Sequence, residues 1–189
     1  MERIRLGLAM CGSFCTFNRV LQVFRRLTEK YDVVPIVSET AAHTDTRFGK
    51  AELFREVLEE YSGRDIIDSI PAAEPIGPKK LLDALVIAPC TGNTLAKLAN
   101  GIADSSVTLA AKAHLRNGRP LIIAVSTNDG LGANAQNIGR LMARRNVYFV
   151  PFGQDDAAGK PDSLVAEFER IDETVEFALR GEQIQPMLT

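Results

Sequence analysis

The sequence is poor in the groups that announce a metal centre or a disulfide framework. It has three cysteines, Cys11, Cys15 and Cys90, and two histidines, His43 and His114. Cys11 and Cys15 are spaced C-x3-C rather than C-x-x-C, and too few histidines accompany them to complete a structural zinc site. No metal is expected. An odd cysteine count without a secretory signal points to free thiols in a reducing compartment. The N-terminus MERIRLGLAM is charged and short, and lacks the apolar core and small-residue cleavage site of a signal peptide. No apolar run approaches the ~20 residues of a membrane helix. An excess of positive charge is missing too. The 22 Lys and Arg against 24 Asp and Glu leave a net charge of −2, which provides no basic field for a phosphate backbone. The expectation is a cytoplasmic protein with neither a membrane nor a nucleic-acid partner.

Two nucleotide-binding signatures are also absent. No G-x-G-x-x-G follows the first apolar run, and no G-x-x-x-x-G-K-[ST] occurs. The standard dinucleotide fingerprint and a nucleoside triphosphatase are thereby disfavoured.

What is present suits a globular fold. The 189 residues are 46% hydrophobic and 24% charged, enough to build a core, and no linker or repeat divides them. Residues 1–189 are expected to form one domain. Apolar runs predict strands at Ile4–Met10, Asp32–Ser38, Ala84–Ala88, Pro120–Val125 and Val147–Val150. Pro35 within the second suggests an edge, a bulge or a strand position whose N–H is unused. Between the runs, apolar residues recur at helical spacing. Phe17, Val20, Leu21, Phe24 and Leu27 mark one helix. Leu53, Phe54, Val57, Leu58 and Tyr61 mark a second, stopped at Gly63. Further helices are expected over Asn93–Asn100, Ser105–Asn117 and Leu131–Arg145. A last one is expected after Pro161-Asp162-Ser163, with the stripe Val165, Phe168, Ile171, Val175 and Leu179. Residues 64–82 allow a short strand at DIIDSI, but PAAEPIGPKK holds too much proline for a helix interior. Strands that alternate with helices and are apolar throughout predict a three-layer α/β fold with a mainly parallel sheet.

In such sheets ligands bind beyond the carboxyl ends of the strands. The segments leaving those ends are CGSFCT, SETAAHTDTRFG, PCTGNT, STNDGLG and PFGQD. Their small residues let a ligand approach the backbone, and their hydroxyls, amides and helix N-termini suit a phosphate. Each loop taken singly is also what helix capping requires.

The segment APCTGNTLAKLANGIAD resembles the A-P-x-[ST]-x-N-T-x-[AG]-K-x-A-x-G-x-[AC]-D signature of the flavin-binding family that contains cysteine decarboxylases and flavin prenyltransferases. PIVSETAAHTDTRFGK, AEPIGPKKLLDALVIAPCTGNTLAKLAN, STNDGLG and VYFVPFGQD narrow the resemblance to one branch, the B subunits of dipicolinate synthases from spore-forming bacteria. The resemblance implies a Rossmann-like or flavodoxin-like fold holding FMN. Phosphate and ribityl contacts would fall on Gly12, Ser13, Ser38, Thr91, Asn93 and Thr94, and the ring near Ser126, Thr127 and Asn128. It also implies a homo-oligomer in the mother-cell cytoplasm. The partner would be an A subunit that brings NAD(P). Together the two would oxidise dihydrodipicolinate to dipicolinate during sporulation. A decarboxylase-type enzyme and a non-catalytic accessory subunit are the alternatives.

One departure bears on chemistry. The decarboxylases carry P-x-M-N-x-x-M-W after the fourth strand, where this chain has STNDGLG and matches only at Asn128, so cysteine decarboxylation is disfavoured. The implied substrate is a ring dicarboxylate. A guanidinium fork suits a carboxylate, which makes Arg47 the candidate, followed by Lys79 and Lys80. A surface charge or subunit contact accounts for Arg47 equally well. His43, Asp45 and Asp129 are open as general bases. Cys11 and Cys90 read as small packing residues at strand ends.

Overall fold

The computed structural model of the chain describes residues 3–189. Its first strand, β1 (Arg5–Met10), is followed by helix α1 (Phe17–Lys30) and β2 (Asp32–Val37). A short α2 (Glu39–His43), α3 (Ala51–Ser62) and a single turn α4 (Ile70–Ala73) precede β3 (Ala84–Cys90). Next come α5 (Gly92–Ala99), α6 (Ser106–Arg116), β4 (Leu121–Thr127), α7 (Ala135–Met142) and β5 (Val147–Phe149). The chain ends with β6 (Phe152–Gly153), β7 (Leu164–Ala166) and α8 (Ile171–Leu179).

The sheet runs β2-β1-β3-β4-β7-β6, with β5 also paired to β4. Parallel registers put Leu8 beside Pro35 and Val86, and Val86 beside Ile122. Every residue of β3 is buried, as a central strand covered on both faces requires. Helix α1 packs against α3 and against the Phe168–Arg170 turn that opens α8, to which Lys30 is also paired through Asp172, and α5 packs against α6 and α7. The core runs through all these layers, from Leu8 and Phe24 to Phe149, Phe168 and Val175. The α/β, mainly parallel architecture is the expected one.

Pro35 lies in the edge strand of this path. Its carbonyl accepts from Ile67 N and Val37 N donates to Ile67 O, so the missing proline N–H faces outward, where no ladder partner is needed. Gly63 ends α3 in the left-handed region at φ 64, a conformation glycine enters without a Cβ penalty.

Several expectations are corrected. Leu53 is 56% exposed, and the inner face of α3 is set by Ala51 and Leu58, with Phe54 and Tyr61 half-buried. DIIDSI makes no strand beyond the Ile36–Ile67 bridge. The proline-rich stretch does contain α4, because Pro71 sits in the first turn, where its missing N–H has no partner to lose. The helix expected from Leu131 begins at Ala135, because Asp129 and Gly132 fold residues 128–134 into turns. Pro161-Asp162-Ser163 does not cap a helix. It leads into β7, which pairs antiparallel with β4 through Ser126–Val165 and Thr127–Leu164. Helix α8 starts six residues later than Val165, and Leu179 is 37% exposed. No helix among the described residues is long and apolar enough to cross a membrane.

Candidate functional site

The carboxyl ends of β1, β2, β3 and β4 reach one rim of the sheet. There Ser38 caps α2 by accepting from Ala41 N at 3.3 Å, and Thr91 caps α5 by accepting from Thr94 N at 3.3 Å. Both caps leave first-turn N–H groups at the rim. Thr94 is buried, shares a hydroxyl contact of 3.0 Å with Thr91 and donates to Cys11 Sγ at 3.3 Å. The hydroxyls of Ser13 and Ser126 lie 2.8 Å apart.

Two clefts open on this rim. The first, about 270 Å³, is lined by Gly12, Ser38, Thr91, Asn93 and Thr94, together with Glu39 and Lys97. The second, about 420 Å³, is lined by Gly12, Ser13, Thr91, Ser126, Thr127 and Asn128 on its inner side. Its outer wall is Arg19, Asp155, Lys160, Ser163 and Val165. Gly12 and Thr91 line both, so the clefts adjoin. All nine residues proposed for the cofactor therefore line one cleft or the other.

The charged groups of the rim are already committed to partners. Glu39 accepts from Ser106 N at 3.0 Å, at the start of α6, and so ties α2 to that helix. Lys97 pairs with Asp104 at 2.9 Å. Asp129 accepts from Thr127 Oγ1 at 2.5 Å and from Asn134 Nδ2 at 2.8 and 2.9 Å. The Thr127 hydroxyl, with Asn134 behind it, holds the Asp129 carboxyl below the usual range. Asp129 thus fixes the turn after β4 and is a poor proton acceptor. Gly92 sits over this knot. A Cβ there would come 2.6 Å from Thr127 Oγ1 and 2.5 Å from Asn134 Nδ2.

Other sequence candidates lie elsewhere. Arg47 is on the exposed turn between Thr46 and Gly49, over the Phe48 ring at 4.8 Å, and lines neither cleft. Asp45 accepts from Ala51 N at 3.0 Å, at the start of α3. His43 is exposed at the end of α2. Lys79 and Lys80 precede β3, at the opposite rim. Cys11 and Cys90 are buried and free. Burial pushes the Cys11 thiol up to about 11 against the lowering hydrogen bond of Thr94, and burial pushes Cys90 up as well, so both are packing groups rather than nucleophiles.

The sequence reading placed Asp155, in PFGQD, at the rim without a role, and missed Lys160 and Ser163. They belong to the loop named as following the fifth strand. Only the antiparallel return of β7 brings the end of that loop back to the rim.

Comparison with known proteins bears on what this rim serves. The flavoprotein family model matches residues 1–180. The chain belongs to the flavoprotein family. Among members with curated names, the dipicolinate synthase B subunit of Bacillus subtilis (strain 168) is 46% identical over 185 residues, covering 97% of this chain and 92% of that protein. Flavin prenyltransferase UbiX of Neisseria meningitidis serogroup B is 27% identical over 152 residues, covering 80% of this chain and 78% of its own. The crystal structure of the dipicolinate synthase B subunit from Bacillus halodurans has a TM-score of 0.91 and 47% identity, covering 100% of this chain and 98% of that one. The flavoprotein fold, the mainly parallel sheet and the branch of the family inferred from the motifs are thus all as expected.

Proposed function

We propose that this flavoprotein is the B subunit of a dipicolinate synthase. In this reading it acts with an A subunit to oxidise dihydrodipicolinate to dipicolinate during sporulation. The observation that carries the reading is the 46% identity to the Bacillus subtilis protein along nearly the whole of both chains. Residues 1–189 would work as one flavin-binding domain in the mother-cell cytoplasm, as a homo-oligomer, with NAD(P) supplied through the A subunit.

The residues present fit FMN. The adjoining clefts have the combined size of a mononucleotide site, and their donors are hydroxyls and backbone N–H groups, the set that suits a phosphate. Ser38, Thr91, Asn93 and Thr94 would hold phosphate and ribityl oxygens beside Gly12 and Ser13. Ser126, Thr127 and Asn128 would face the ring. Bound flavin would supply the two-electron acceptor for the oxidation. The chain's own part is to keep that rim fixed and to orient the dicarboxylate. The Ser13–Ser126 contact and the Asp129 knot serve the first task. Dihydrodipicolinate loses two electrons and two protons, and the gain of aromaticity drives the step.

Two measurements test this. Absorption spectra of the purified chain, with and without added FMN, are expected to show flavin bands and saturable binding. Dipicolinate formation, followed with either protein alone and with the two together, is expected to need both. A chain that ignores FMN, or full activity from the A subunit without this chain, refutes the proposal.

A further inference from the structure

Among the described residues, three cations line the two clefts, and they differ in how firmly they are held. Lys97 is 2.9 Å from Asp104. Arg19 makes three bonds to Glu169, at 3.0, 3.1 and 3.4 Å, and lies over the Phe168 ring at 5.2 Å. Lys160 pairs with Asp155 at 3.4 Å, and its side chain is 53% exposed. A long, exposed pair of this kind is worth little and exchanges readily. Lys160 is therefore the cation most available to an incoming anion.

The loop that carries it is held by its own hydrogen bonds. Gly159 N donates to Asp156 Oδ1 at 2.8 Å, Lys160 N to Asp156 O at 2.7 Å, and Gln154 Nε2 to Pro161 O at 2.7 Å. The loop is folded on itself and delivers Lys160 to the cleft wall opposite Asn128. Ser163, on the same wall, is 1% exposed, yet its Oγ has no hydrogen-bond partner. Its hydroxyl nevertheless faces Asp155 and is the first cause, ahead of Lys160, that holds that carboxyl below the usual range. Lys160 and Ser163 thus already present a cation and a hydroxyl to one carboxylate, and a ligand carboxylate in the place of Asp155 would meet the same two groups.

Resting on the reading above, we propose that Lys160 and Ser163 bind a carboxylate of the ring substrate. Lys160 supplies the charge and Ser163 a directed hydrogen bond. The substrate carboxylate takes the place of Asp155 at the ammonium. Lys160 and Ser163, rather than Arg47, then orient the dicarboxylate.

The test uses the full chain and pyridine-2,6-dicarboxylate as the probe, with binding read by calorimetry in the presence of FMN. Lys160→Gln is expected to weaken the probe about tenfold or more, Ser163→Ala severalfold, and Lys160→Arg to retain most of the affinity. Thermal unfolding of each variant checks that the fold is kept. FMN titration in the same samples reports separately on the cofactor assignment. If wild type binds FMN but not the probe, or if Lys160→Gln binds the probe as wild type does, the carboxylate assignment is overturned while the flavin reading stands.

Discussion

The hydroxyl of Ser13, just past β1, meets the hydroxyl of Ser126, near the end of β4, at 2.8 Å. Strand β3 lies between β1 and β4 in the sheet, so this contact passes over its end and links segments 113 residues apart. Removing one partner leaves the other hydroxyl at the wall of the second cleft without its bond. Ser126→Ala is expected to raise the dissociation constant for FMN severalfold, in line with the ~1 kcal/mol of an ordinary hydrogen bond. Fluorescence titration reads it, and unchanged affinity would count against a role for this pair in the cofactor site.

Gly92→Ala places a methyl group within 2.6 Å of Thr127 Oγ1 and 2.9 Å of Asp129 Oδ1. Those atoms are held by one another and cannot withdraw without breaking the knot that fixes residues 127–134. The expected cost is about 1–3 kcal/mol, seen as a lower urea midpoint. A variant as stable as wild type would show that the knot yields freely.

His114 sets a pH dependence. Its Nε2 lies 3.0 Å from Pro120 O, and burial pushes the imidazole from 6.5 down to about 4. The neutral ring is the folded form, so the unfolded chain binds the extra proton. This contribution is complete above about pH 6.5, falls as the pH drops toward 4, and amounts to about 3 kcal/mol across that window. Urea unfolding between pH 7.5 and 4 is expected to show the slope, and His114→Gln to flatten it.

The thiols should separate by reactivity. Cys15 is exposed, whereas Cys11 and Cys90 are buried. Ellman's reagent at pH 8 is expected to titrate Cys15 alone in the native protein and all three cysteines in urea. Rapid labelling of Cys11 in the folded state would contradict its burial under Thr94.

The fold was legible where apolar runs were long. Val86 and Ile122 sit in strands covered on both faces, so composition alone marked them, whereas Pro35 left an edge, a bulge and an unused N–H open until its outward geometry was seen. The rim loops were legible for the same reason: a parallel sheet sends its strand ends to one side. Short elements were not. Leu164–Ala166 is too brief to show a period of two, and its strand state comes from pairing with Ser126 and Thr127, a contact made far along the chain. Leu53 illustrates a second limit. Helical spacing marks a stripe, but which side of the stripe turns inward depends on neighbours. Arg47 was placed by its sequence neighbourhood, whereas Lys160 reaches the cleft only through tertiary return.

Among the described residues, Gly12 and Thr91 alone are common to the two clefts. A molecule that fills both must therefore cross these two residues, so a bulkier side chain at position 12 stands in the way of either half.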